Sequence, residues 1–195
     1  TPYYLFVIHE YWGLNDYVKQ QSERLSNELG MNVLALDLYD GKVTSNHDSA
    51  AKLMQSVDNN RAINIIKGAY SYAGSNAKVF TLGWCFGGGW SLQAALLGGS
   101  QIKGCVMYYG MPEKDVARLK TLNCDVIGFF GKKDQWINPE VVKQFEENMK
   151  AAGKKVTTFE YDANHAFANP SNPVYNKEAT ADANAKASAF IKERI

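Results

Sequence analysis

The run Gly83-Trp84-Cys85-Phe86-Gly87, with Gly88 and Gly89 behind it, restricts what this chain can fold into more than any other stretch. It follows the β-favouring residues Lys78-Val79-Phe80-Thr81-Leu82 and leads into a small, apolar, helix-like segment, 90–97. A strand that turns directly into a helix holds the turn residue in a strained backbone conformation and lifts its side chain above the sheet. Strand and helix then cross so closely that a Cβ two positions before or after the turn residue would clash. Gly83 and Gly87 meet that demand, and the lifted side chain is the thiol of Cys85. The chain must therefore build a sheet with a helix packed on it. Cys85 reads as a nucleophile on an elbow.

Short β-rich runs alternate with helical stretches along almost the whole length, which argues for a mainly parallel sheet flanked by helices. Strands are expected at 3–9, 32–39, 78–84, 102–109, 125–131 and 156–161, several of them near-continuous apolar runs suited to burial on both faces. Helices are expected at 16–29, 48–73, 90–97 and 139–152, stopped by Gly30, Gly74, Gly98 and Gly153, with a closing helix over 176–195. A chain of 195 residues without a visible linker is expected to form one domain, 1–195.

The balance of charge excludes several classes of partner. With 21 basic and 20 acidic residues interspersed, there is no footprint for nucleic acid and no polybasic patch for a membrane surface. No apolar run approaches the roughly 20 residues needed to span a bilayer. A cytoplasmic location is expected, export after removal of a signal peptide being the other course open to a chain that begins so abruptly. Three cysteines make no disulfide framework; Cys105 and Cys124, in or beside apolar strands, read as buried thiols.

In an open parallel sheet, ligands bind beyond the carboxyl ends of the strands. That rule selects Glu10 and Tyr11 after the first strand, Cys85 after the third, Asp134 after the fifth and His165 after the sixth. A nucleophile elbow, then an acid after a later strand, then a histidine after the last is the chain order of the α/β-hydrolase triad. His165 would activate the thiol, and Asp134 would orient the imidazole, with Asp162 as the competing acid. Backbone N–H groups of Tyr11 and Phe86 would receive the oxyanion. Trp84, Trp136 and Phe167, with Tyr11, Trp12, Phe86 and Tyr109, are candidates to line an apolar pocket.

These residues resemble the dienelactone hydrolase family of α/β-hydrolases over nearly the whole chain. The likeness rests on His9-Glu10-Tyr11-Trp12-Gly13-Leu14-Asn15, Leu36-Asp37-Leu38-Tyr39, Gly83-Trp84-Cys85-Phe86-Gly87-Gly88, Gly131-Lys132-Lys133-Asp134 and His165-Ala166-Phe167-Ala168-Asn169. The resemblance implies an α/β-hydrolase fold and Cys85, Asp134 and His165 as the triad. It also implies hydrolysis of a small ester or lactone through an acyl-thioester, with no metal or organic cofactor. Glu10 would pair with the resting thiol and release it when substrate binds. Compared with the family, one or two leading edge strands are expected to be absent.

Two departures bear on the substrate. Family members that take the carboxylated lactone have one arginine in the region of His47 and another at the position of Asn169. Neither is present here. A bidentate cation is the best device for a carboxylate, so a neutral ester or a different lactone is the expectation, with His47 as a weaker, pH-dependent cation. Two other readings compete. A glutamine-amidotransferase-like site would need an acid close behind the histidine, where Ala166 and Phe167 stand. A non-catalytic binding or thiol-redox protein on the same fold would use Cys85 without turnover.

Overall fold

The computed structural model describes residues 1–195. Six strands, β1 (Tyr3–Ile8), β2 (Asn32–Leu36), β3 (Lys78–Trp84), β4 (Ile102–Tyr108), β5 (Val126–Gly131) and β6 (Val156–Tyr161), form one sheet in the order β2-β1-β3-β4-β5-β6. Every pairing is parallel. All six strand ends therefore open on one edge. The chain moves outward from β1 to β2, then returns to lay β3 on the other side of β1, so the order reverses between β1 and β3. Helices on either side of such a reversal diverge and leave a crevice.

The strands alternate between two cores, as the period of two requires. Leu5 and Val7 of β1, Phe80, Leu82 and Trp84 of β3, and Phe129 of β5 face α1 (Asp16–Leu29) and α7 (Lys177–Lys192). Phe6, Ile8, Val79, Cys105 and Met107 face α3 (Asn59–Ala73), α4 (Phe86–Leu96) and α6 (Pro139–Ala151). Residues Leu5–Ile8 are wholly buried, whereas the edge strand β6 alternates with exposed Thr157 and Glu160. No helix is long and apolar enough to cross a membrane.

Several elements differ from the sequence-based expectation; β2 ends at Leu36 and not at 39, because Asp37 turns the chain, and α7 stops at Lys192. The segment expected to be one helix over 48–73 is two, α2 (His47–Ser56) and α3, because the Asp58 side chain accepts the Asn60 N–H and starts a new helix. The helix after the elbow begins at Phe86, running through Gly87–Gly89, since tight packing excludes side chains there while the helical hydrogen bonds persist. A one-turn helix, α5 (Val116–Leu119), is capped by Asp115.

Candidate active site

Cys85 sits between β3 and α4 with φ 58° and ψ −120°. A Cβ on Gly83 would overlap the backbone of Gly87, and one on Gly87 would overlap the carbonyls of Ile8 and His9. The glycines thus allow the elbow to close and seat α4 against the end of β1. The strained residue is tied on both sides: its N–H donates to the Tyr108 carbonyl at 2.9 Å, and its carbonyl accepts from Gly88 N–H at 2.9 Å. All four non-glycine residues with positive φ, Asp40, Cys85, Tyr109 and Ala166, follow carboxyl ends of strands on this edge of the sheet. Such strain persists only where surrounding contacts enforce it.

The structure brings Cys85, His165 and Asp134 together. Cys85 Sγ lies 3.0 Å from His165 Nε2, and His165 Nδ1 lies 2.5 Å from Asp134 Oδ2. Asp134 Oδ1 accepts the backbone N–H groups of Trp136 and Ile137, each at 2.9 Å. Burial would raise the Asp134 carboxyl, but His165 and these N–H groups outweigh it and hold it below its ordinary range. Burial would likewise lower His165, yet the hydrogen bonds and charges of Asp134 and Cys85 carry it up to about 10. The carboxylate thus fixes the Nδ1–H on its side of the ring and leaves Nε2 facing the sulfur. The loop bearing it is pinned by Tyr17, whose hydroxyl donates to the Ala168 carbonyl at 2.8 Å, and by Thr180, which donates to the Phe167 carbonyl. Asp162 is excluded as the acid: its side chain is 81 % exposed and pairs with Lys133.

The loop after β1 is organised by His9, a residue whose part the sequence did not reveal. Its Nε2 accepts the Leu38 N–H at 3.0 Å, which leaves Nδ1 protonated to donate to the Glu10 carbonyl at 2.7 Å. Burial keeps the ring neutral, holding its pKa below the usual value. Asp37 turns the chain beyond β2 by accepting the N–H groups of Tyr39 and Gly41. The N–H groups of Tyr11 and Phe86 have no acceptor within the chain. Tyr11 follows β1 and Phe86 follows β3, the adjacent strand.

The remaining sequence candidates are dispersed. Glu10 is not bonded to the thiol; its Oε1 accepts from Asn169 Nδ2 at 2.9 Å, while Cys85 faces His165. The pairing of Glu10 with a resting thiol, implied by the family resemblance, is thus replaced by a side-chain amide. Asn169 is buried and committed on its other side to the Ser171 N–H. Trp84 and Phe167, expected in the pocket wall, are core residues: Trp84 packs on Tyr17 and Tyr108, and Phe167 on Tyr109 and Tyr161. Side chains in β3 alternate about the sheet plane, and position 84 points into the α1–α7 core. Trp136, by contrast, is 67 % exposed with its ring edge-on to His165 at 5.4 Å. His47 is exposed at the start of α2, edge-on to the Trp12 ring, its carbonyl accepting the Tyr11 hydroxyl.

Comparison with known proteins matches residues 4–195 to the model of the dienelactone hydrolase family. The protein usf of Aquifex pyrophilus is 29 % identical over 98 % of this chain and 88 % of its own length. Carboxymethylenebutenolidase 1 of Cupriavidus pinatubonensis is 26 % identical over 92 % of this chain and 81 % of its own. The fold is shared with a dienelactone hydrolase-like promiscuous phosphotriesterase from metagenomic libraries, at a TM-score of 0.86 and 22 % identity over 98 % of this chain and 86 % of that one. It is shared also with a dienelactone hydrolase from Anabaena variabilis, at a TM-score of 0.66 and 16 % identity over 99 % of this chain and 86 % of that one.

Proposed function

Because this chain belongs to the dienelactone hydrolase family, we propose that it hydrolyses small carboxylic esters or lactones through Cys85, His165 and Asp134. The observation that carries this reading is the unbroken hydrogen-bonded line from Cys85 Sγ through both ring nitrogens of His165 to Asp134, with the sulfur on a strained elbow beyond the carboxyl end of β3.

In the first half-reaction His165 Nε2 takes the proton of Cys85 as the sulfur attacks the acyl carbon. The negative charge that forms on the carbonyl oxygen meets the free N–H groups of Tyr11 and Phe86. Collapse of the adduct breaks the bond to the leaving oxygen, which takes the proton from His165 Nε2 and departs as an alcohol. In a lactone it remains tethered. The acyl group is now a thioester on Cys85 and His165 is neutral. A water molecule then gives a proton to Nε2 and attacks the thioester carbon. The carboxylic acid leaves and the sulfur recovers its proton from Nε2. Asp134 holds its charge throughout, fixing the tautomer and stabilising the cation.

A panel of 4-nitrophenyl acetate, 4-nitrophenyl butyrate and dienelactone, given to wild type and Cys85→Ala, tests this reading. Turnover by wild type with an acyl-enzyme burst, absent from the variant, is the expected result. Turnover retained by Cys85→Ala would remove the thiol from the mechanism. Stoichiometric thiol modification without turnover would replace hydrolysis by a binding or redox role.

A further inference from the structure

One buried ring lies behind both of the N–H groups that receive the oxyanion. The backbone carbonyl of Glu10 and the N–H of Tyr11 belong to a single trans peptide unit, which is planar, so they point in opposite directions. That carbonyl accepts His9 Nδ1–H at 2.7 Å and Gly13 N–H at 3.1 Å, which occupies both of its lone pairs. With its oxygen held, the peptide resists rotation, and the Tyr11 N–H is aimed away from the His9 ring with no acceptor in the chain. His9 is anchored in turn by the Leu38 N–H, which donates to Nε2 at 3.0 Å. The ring is wholly buried between Tyr39, at a centroid distance of 4.6 Å, and Phe86, on which it stacks at 5.8 Å with 25° between the planes. Gly87 seats the first turn of α4 on the same spot, since a Cβ there would overlap the Ile8 and His9 carbonyls. Strands β1 and β3 pair with Ile8 opposite Gly83, so Tyr11 and Phe86 each lie three residues beyond matched positions.

We propose that His9 is the positioning residue of the oxyanion hole: its Nδ1–H fixes the peptide unit that presents the Tyr11 N–H, and its ring braces Phe86, whose N–H is the second donor. The proposal rests on the hydrolase reading above. Being wholly buried, His9 meets no substrate and acts through those two donors. Oxyanion stabilisation depends on donors held at hydrogen-bond distance from the place where charge develops, so a peptide free to turn forfeits most of the effect.

The test compares two reactions of the same thiol. Hydrolysis of 4-nitrophenyl acetate passes through an oxyanion. Alkylation of Cys85 by iodoacetamide forms the S–C bond at a saturated carbon and expels iodide, with no oxyanion; it is followed by mass spectrometry of the Cys85 peptide. His9→Phe keeps a ring between Tyr39 and Phe86 but removes both hydrogen bonds. It should lower kcat for the ester about 100-fold with KM nearly unchanged, the scale of losing one oxyanion donor, and leave the alkylation rate within about twofold of wild type. Full ester turnover by His9→Phe overturns the proposal, and so does an equal fall in both reactions, which would place the effect on the thiol or imidazole. Should His9→Phe fail to fold, two amide variants decide. The nitrogen of His9→Asn can stand where Nδ1 stood and donate to the Glu10 carbonyl, whereas His9→Gln reaches the Nε2 position and serves Leu38 instead. The Asn variant should exceed the Gln variant in kcat about tenfold. Equal values would reduce His9 to a joint between two loops and overturn the proposal. No ester turnover by wild type while alkylation proceeds would overturn the hydrolase reading and this inference with it.

Discussion

Asp134 and Glu10 lie on the same edge of the sheet, each 2 % exposed, and they end in opposite electrostatic states. Asp134 receives two backbone N–H groups on one oxygen and His165 on the other, and its carboxyl stays low. Glu10 receives one amide, and its carboxyl rises to about 7. At Glu10 burial outweighs a single amide and raises the carboxyl, whereas at Asp134 the imidazole and two N–H groups outweigh burial and hold it low. The contrast separates two environments: a fixed anion can hold an imidazolium, whereas a carboxyl with its pKa near neutrality changes charge with pH.

The largest effect should come from Cys85 Sγ, at the far end of the hydrogen-bonded line that Asp134 anchors. Cys85→Ala should lower kcat by about 10⁵-fold or more, since removal of a nucleophile disables the whole triad. Steady-state assays with and without the variant check this, and comparable rates would make the contrast between the carboxylates irrelevant to catalysis. Asp134→Asn should cost about 10⁴-fold in kcat with modest change in KM, because the amide no longer favours the Nδ1–H tautomer or the cation. The same substitution carries a pH signature. His165 rises from 6.5 to about 10 in the folded protein, so its pairing contributes stability that is complete below pH 6.5 and lost as pH climbs through 10. The stability advantage of wild type over Asp134→Asn should therefore shrink across that window in urea titrations. An advantage that stays level would show that Asp134 does not hold the imidazolium.

Glu10→Gln sharpens the comparison from the other side. A carboxyl that moves from 4.5 to about 7 on folding binds its proton more tightly in the native state. Wild-type stability should accordingly fall as pH rises from 4.5 to 7, by about 3 kcal/mol for this group, and stay level above. Glu10→Gln removes that titration and keeps an acceptor for Asn169. Its stability relative to wild type should thus increase between pH 5 and pH 8, measured as the difference in urea midpoints. A pH-independent difference would place Glu10 with Asp134 as a permanent anion.

The two carboxylates were not equally legible in the sequence. Asp134 follows a strand-like run and stands in order between a glycine-framed cysteine and a histidine, and local periodicity reads all of these. The strand positions emerge for the same reason, as near-continuous apolar runs bounded by turns. The partner of Glu10 lies 159 residues away, and nothing local to either residue announces the bond. His9 was obscure for a similar cause, because its task is to join two loops, at Glu10 and Leu38, that only the parallel pairing of β1 and β2 brings near. Trp84 and Phe167 show the opposite failure. Their closeness in sequence to Cys85 and His165 suggested the pocket, but alternation about a strand and a tight loop turn them into the core. The break between α2 and α3 did carry a local signal, Asp58 before Asn59 and Asn60, which a search for caps would have found.

Trp136 offers the finest test of how Asp134 differs from Glu10. Its N–H is one of the two that bond Asp134 Oδ1, so the carboxylate that orients His165 also fixes the turn presenting this ring. The ring is two-thirds exposed and meets the imidazole edge-on, leaving a face free for an aromatic leaving group. One-sided burial of such a ring is worth about 1 kcal/mol. Trp136→Ala keeps the backbone N–H and hence the whole bonding of Asp134. It should raise KM for 4-nitrophenyl esters about five-fold, with kcat and the KM for a methyl ester nearly unchanged. A fall in kcat for both esters would mean that the ring holds His165 in place. In that case Asp134 would owe the geometry of its imidazole to a side chain it positions, in addition to its own hydrogen bond.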